Sequence, residues 1–219
     1  METLTFDIET IPMQGELSDT IKDEVSAKID REIIKNPGLA DDNKALQSLK
    51  NKIMATSPYF GEILTIGLHR HCDVRGSETS ALVGDEKEFL TRFWNMLKNF
   101  SGTFISFNGL GFDVPFILKR SMYHGIKPTN SDFMDTRRYQ RHPHFDVMMM
   151  MADWDRFRSP SLQLACEHMG IPSPKDGEVK ASEVYGAYQD GRLDEIVAYC
   201  KRDVVATFEL YKRFNGYYK

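Results

Sequence analysis

Apolar and polar residues alternate strictly at the start of the chain, which predicts a strand over Leu4–Thr10. Leu4, Phe6 and Ile8 fall on one face of it, and Thr5, Asp7 and Glu9 on the other. Ile11-Pro12 ends the strand. A polar segment follows, in which Ile21, Val25, Ile29 and Ile33 recur at helical spacing and form a narrow apolar stripe. Asn36-Pro37-Gly38 breaks that helix, and Ala45–Ile53 predicts a second. The stretch 14–52 is thus expected to be a helical insertion at the edge of the domain. A solvated surface insertion is favoured over a cap lying on the face that carries the acids.

Gly61–Arg70 reads as a buried strand through Ile63, Leu64, Ile66 and Leu68, joined by a hairpin containing Gly76 to a shorter strand at Ala81–Val83. Asp85 opens a helix whose Phe89, Leu90, Phe93, Trp94 and Leu97 share one face; a single amphipathic stripe of this kind is core and not a base-stacking platform. Thr103–Phe107 is the next strand, and it runs into Asn108-Gly109. Asp113 sits near the cap of a helix that continues to Tyr123, with Pro115 in its first turn. The stretch from Tyr123 to His144 is polar and loop-like, and His142 and His144 flank Pro143 in an arrangement more often structural than metal-binding. Phe145-Asp146-Val147 and Met148–Met151 begin an apolar helix or strand end, with the methionines as core packing. Ser161 caps a short helix that stops at Gly170-Ile171-Pro172, and Pro174–Gly177 reads as a surface turn. Lys175 and Lys180, in that loop, would meet phosphates or solvent. The last helix runs from Leu193 to Phe214, with Tyr199 and Asp203 stacked beside its apolar stripe.

A chain of 219 residues with 41% hydrophobic positions suits one domain with a substantial core. It contains no apolar run approaching the ~18 residues needed to cross a bilayer and no secretory leader pattern, so a cytoplasmic protein without membrane partners is expected. The three cysteines, Cys72, Cys166 and Cys200, are scattered and read as reduced structural thiols. The net charge of −4 excludes a broadly positive nucleic-acid surface. Any such affinity must be local and metal-assisted.

Two acids on one face of a buried strand repel each other and resist ionisation unless a cation lies between them. A divalent metal would supply that charge. Asp113 brings a third acid to a strand-to-helix turn. Asp203 brings a fourth to mid-helix, where Asp is a poor helix former with no capping role. Taken singly, these acids suit a solvated strand end, a helix cap and a helix surface.

Together, the ordered set of Phe6-Asp7-Ile8-Glu9-Thr10, Ser57-Pro58 with Gly61–Leu68, Phe107-Asn108-Gly109, Phe112-Asp113-Val114-Pro115 with Arg120, and Tyr199-Cys200-Lys201-Arg202-Asp203 resembles the DEDD superfamily of 3′-to-5′ exonucleases. The likeness is to its Tyr-bearing branch, and within that branch to the proofreading exonuclease domain of family B DNA polymerases. The other branch carries His five residues before the last Asp, where this chain has Ala198. No polymerase domain follows, so a free-standing relative is expected.

The resemblance implies an α/β, RNase H-like fold, a mixed central sheet of about five strands flanked by helices. It also implies two divalent ions, Mg²⁺ or Mn²⁺, with Asp7, Glu9 and Asp203 on the first and Asp7 and Asp113 on the second. Tyr199 would orient the attacking water, completing a catalytic set with the four acids. The backbone at Thr10 and Ile11 would approach the terminal nucleotide, and Asn108 would contact substrate near the scissile phosphate. Phe112 would stack on a base or pack beneath the turn. The implied substrate is a single-stranded DNA 3′ end, cut to nucleoside 5′-monophosphates. An exoribonuclease of the same fold is the first alternative. A silent nucleic-acid-binding module is the second; it predicts loss of at least one acid, and all four are present with the tyrosine.

Overall fold

The computed structural model describes residues 2–172 and 180–217, so the surface turn expected at Pro174–Gly177, with Lys175, lies outside the described residues. The first strand, β1 (Glu2–Pro12), is the centre of a five-stranded mixed sheet. On one side it pairs antiparallel with β2 (Gly61–Cys72), which pairs antiparallel with β3 (Gly76–Val83). On its other side β4 (Thr103–Ser106) and then β5 (His144–Asp146) run parallel. The order is therefore β3-β2-β1-β4-β5. The apolar stretch near Phe145 divides, its first residues completing β5 and Val147–Met151 forming helix α5.

The alternation in β1 sorts its side chains as the pattern predicts. Leu4, Phe6 and Ile8 enter a core with Ile66, Phe93, Trp94, Phe104, Phe116 and Phe133. That core lies under α3 (Glu86–Leu97), capped by Asp85, and α4 (Asp113–Tyr123). The opposite face is covered by α8 (Leu193–Tyr217), whose Phe208, Leu210 and Phe214 pack with Ile105, Phe145 and Val147, and with Ala165 and Cys166 of α6 (Leu162–His168). Next to it, α7 (Val184–Gln189) packs Val184 and Ala187 against Ile11 and Ile196. Helices on both faces of a mixed sheet define the α/β class.

Between β1 and β2 lie α1 (Asp19–Lys35), capped by the Ser18 hydroxyl, and α2 (Asn43–Ala55), capped by Asp42. Val25, Ile21 and Ile29 of α1 pack with Ile53 and Met54 of α2 and with Phe60. The insertion is exposed over much of its surface, and it also reaches the face that carries the acids. The Thr10 hydroxyl donates to the Ala55 carbonyl at 2.7 Å, which ties the end of α2 to β1, and the polar side of α2 lines the cleft that holds the acids. Cys72, Cys166 and Cys200 are free thiols. Among the described residues no helix is long and apolar enough to cross a membrane.

Candidate active site

Asp7 stands opposite Gly67 in the β1–β2 ladder. A side chain at Gly67 would put its Cβ 2.7 Å from the Cys200 sulfur and 3.0 Å from the Cys200 carbonyl oxygen. The glycine therefore lets α8 settle directly on the sheet beside Asp7. The Cys200 Sγ lies 3.6 Å from the Asp7 carbonyl oxygen and 3.7 Å from its Oδ2. Ligand atoms of Asp7, Glu9 and Cys200 all lie within 4.8 Å of one another. Tyr199 and Asp203 share the buried side of α8 with Cys200. Asp203 is only 8% exposed, which removes the surface reading. Between Glu9 and Thr10 the β1–β2 register shifts, a bulge of the kind that re-aims side chains next to sites.

The third acid arrives from the other side of β1. Phe112 occupies the N-cap position of α4 without a side-chain cap bond, and Asp113 is the first helical residue. Its Oδ1 accepts the Ile8 N–H at 3.0 Å, so the carboxylate is clamped to the strand between Asp7 and Glu9 instead of capping its own helix. The preceding turn carries Asn108 at φ 68°, a left-handed conformation that Asn tolerates better than most residues. Asp146, at the end of β5, holds that turn. One carboxylate oxygen accepts the N–H groups of Asn108 (2.9 Å) and Met149 (3.2 Å), and the other that of Leu110 (3.1 Å). Replacing Asp146 with Ala leaves these amides without their acceptor and is expected to cost about 3 kcal/mol or more, read as a lower denaturant midpoint at unchanged slope.

Burial, followed by repulsion from Asp113, Glu9 and Asp203, holds the Asp7 carboxyl well above the usual range. Glu9 is raised by burial, then by Asp203 and Asp113. Burial carries Asp113 up to about 7 against the Ile8 N–H, which pulls the other way. The Tyr199 phenol is pushed up by burial and by Asp203, Glu9 and Asp7, and the Cys200 thiol by burial and Asp7. The site thus disfavours negative charge on Asp7, Glu9, Asp113, Tyr199 and Cys200. A cation would reverse that balance.

One cleft of about 690 Å³ is lined by Asp7, Glu9, Thr10, Asn108, Phe112, Asp113, Tyr199 and Asp203. It unites every residue given a catalytic, metal or substrate role from the sequence except Ile11, which lies behind the floor with its side chain buried beside Tyr199, whereas Arg120 pairs with Glu86 away from the cleft. The Phe112 ring is half-buried, 5.5 Å from Phe116, and also reaches the cleft, so packing and exposure coexist in it. His144 lies elsewhere, its Nε2 2.9 Å from the Phe133 carbonyl oxygen, and has a structural role.

The model of a family described as a predicted 3′-5′ exonuclease related to the exonuclease domain of PolB matches residues 64–218. The chain belongs to this exonuclease-related family. The matched span contains Asn108, Phe112, Asp113, Tyr199 and Asp203, while the strand bearing Asp7 and Glu9 precedes it. DNA polymerase 1 of Pyrococcus abyssi is 26% identical over 146 residues, covering 61% of this chain and 19% of the polymerase. The family B DNA polymerase structure from the hyperthermophilic archaeon Pyrobaculum calidifontis superposes with a TM-score of 0.60 at 15% identity, over 97% of this chain and 24% of that one. That superposition establishes the RNase H-like fold of this family member. The chain therefore spans about a fifth to a quarter of the length of the relatives it matches.

Three contributors to the exonuclease-like site were given no role from the sequence, although Gly67 lies within the Gly61–Leu68 segment. Gly67 carried a signal, since an isolated glycine inside an apolar strand marks close approach of another backbone. Asp146 carried only the weak one of an acid at a strand tip. The polar side of α2 carried none, because polarity alone does not distinguish a wall facing a cleft from one facing bulk water.

Proposed function

We propose that the chain is a metal-dependent 3′-to-5′ exonuclease that shortens single-stranded DNA to nucleoside 5′-monophosphates. The observation that carries this reading is the convergence of Asp7, Glu9, Asp113 and Asp203, from three separate elements, with Tyr199 in one cleft. The donor set suits two divalent cations. Asp7, Glu9 and Asp203 would hold one, and Asp7 with Asp113 the other. All four donors are hard carboxylate oxygens, and the neighbouring Cys200 thiol is kept protonated, which favours Mg²⁺ or Mn²⁺ over zinc. When bound, such ions lower the pKa of the attacking water and stabilise the leaving 3′-oxygen.

The remaining work belongs to the chain. Tyr199, held as a neutral phenol, cannot serve as a base near neutral pH and instead positions the water by hydrogen bonding. Asn108, fixed by Asp146, would contact the substrate near the scissile phosphate, and the Thr10–Ile11 backbone would meet the terminal nucleotide. Phe112 would stack on or wedge beside a base. Tyr199→Phe is expected to lower kcat about 10- to 100-fold, in the range seen when a supporting hydrogen bond at a metal site is removed, with the shape of the pH–rate profile unchanged. A change in that shape would make the phenol a titrating base.

The deciding experiment incubates purified protein with 5′-labelled single-stranded DNA or RNA in Mg²⁺, Mn²⁺ or EDTA. A metal-dependent ladder shortening DNA from its 3′ end supports the proposal. Shortening of RNA alone would transfer it to an exoribonuclease, and intact strands under every metal would sink the enzymatic reading.

A further inference from the structure

The floor of the cleft repels phosphate, and the protein as a whole is acidic, so a strand reaching the acids needs positive charge close by. Helix α2 supplies it. Lys44, Ser48 and Lys52 form one row along this helix and Gln47 and Asn51 the adjacent row, and all five line the cleft. The other side of α2 is packed on α1 through Ile53 and Met54, and its last residue is bonded to Thr10, next to Glu9. The face is therefore held rigidly beside the acids. Neither lysine has an ion-pair partner among the described residues. The Gln47 amide donates to Asn51 Oδ1 at 2.9 Å, which orients the Gln47 oxygen and the Asn51 amide as a free acceptor and donor. From α7, Tyr185 reaches the same cleft, half-buried and nearly parallel to Tyr188.

We infer that α2 is the strand-binding wall of the enzyme, with Lys44 and Lys52 pairing with two phosphates of the single strand and Tyr185 stacking on a base. This rests on the exonuclease reading above. The two lysines are separated by eight residues, ~12 Å along the helix, well beyond the ~3.4 Å rise per phosphate on one duplex strand, so they meet different phosphates. Both contacts are indifferent to sequence. Lysine acts as a point charge and every base has a stacking face.

The test measures binding of a fluorescent oligothymidylate in EDTA by anisotropy over a range of salt. Wild type is compared with Lys44→Ala/Lys52→Ala, Lys44→Arg/Lys52→Arg, Tyr185→Ala and, as a control, Lys22→Ala/Lys35→Ala on α1, whose lysines already pair with Asp19 and Glu32. The alanine pair should bind about 10-fold or more weaker, with the slope of log K against log salt reduced by about 1.4, or 0.7 for each lost contact to a single strand. The arginine pair should restore both, Tyr185→Ala should weaken binding without altering the slope, and the control should match wild type. Wild-type slope in the alanine pair, or no measurable binding by wild type, overturns the assignment. In parallel, wild type with Mn²⁺ is given thymidine 5′-(4-nitrophenyl) phosphate, which has no upstream strand. Failure to hydrolyse it counts against the exonuclease reading, while the binding series decides the role of α2 separately.

Discussion

Asp7→Asn is expected to reduce exonuclease turnover by at least about 10³-fold, the upper range for removing one preorganised electrostatic group, while making the metal-free protein more stable. The opposition of signs follows from where Asp7 sits. Its carboxylate is the one toward which Asp113, Glu9 and Asp203 all converge, and its burial and their repulsion both resist its charge. An amide of the same shape removes that repulsion and also removes the donor proposed to be shared by both ions. The variant should therefore melt higher than wild type in EDTA at pH 8, each kcal/mol appearing as about 2–4 °C for a chain of this size. Activity lost together with stability would mean simple unfolding. A variant that retained a tenth of the activity would remove Asp7 from the mechanism.

Stability without metal should fall as pH rises from 5 to 8, and Mn²⁺ should restore it most at the alkaline end. The Asp113 carboxyl lies at about 7 in the fold against an ordinary 3.8, so folding favours its protonated form. Below the lower value there is no penalty. Above it the penalty grows, and it is complete once pH exceeds about 7, at about 4 kcal/mol for a shift of roughly three pH units. Asp7 and Glu9 act in the same direction. A bound cation offsets this repulsion, and at a concentration a hundredfold above its Kd it stabilises the fold by about 2.7 kcal/mol, or about 5–10 °C. At pH 5 the carboxyls must release protons before binding, so the gain should shrink. Calorimetric melts with EDTA or Mn²⁺ across that pH range provide the measurement. A gain independent of pH would show that these acids are not the ligands.

The larger consequence is a division of labour in the cleft. On the proposed reading the floor would hold the cations that activate water, while its acids repel the polyanion it is proposed to cut. A wall from the segment between β1 and β2 would then carry the attraction. That would let a chain with net charge −4 engage a nucleic acid without a basic surface.

Much of this was legible in the sequence, and what escaped it did so for physical reasons. Side-chain periodicity is a local property, so the alternation in β1 told which face carried Asp7 and Glu9, and the helical spacing of Tyr199 and Asp203 told that they stand together. The turn chemistry around Asn108 and the cap at Asp85 were equally local. Tertiary structure alone decided the contacts between distant segments. Asp113 turned away from capping because Ile8, 105 residues earlier, offered it an N–H. Asp203 became buried because Gly67 opened room on β2 for α8. The polar face of α2 became a wall because Ala55 was bonded to Thr10. Hydropathy records whether a side chain prefers water, and a water-filled cleft and open solvent look alike to it. Sequence therefore determined which residues could carry the chemistry, and packing across the sheet determined which of them meet.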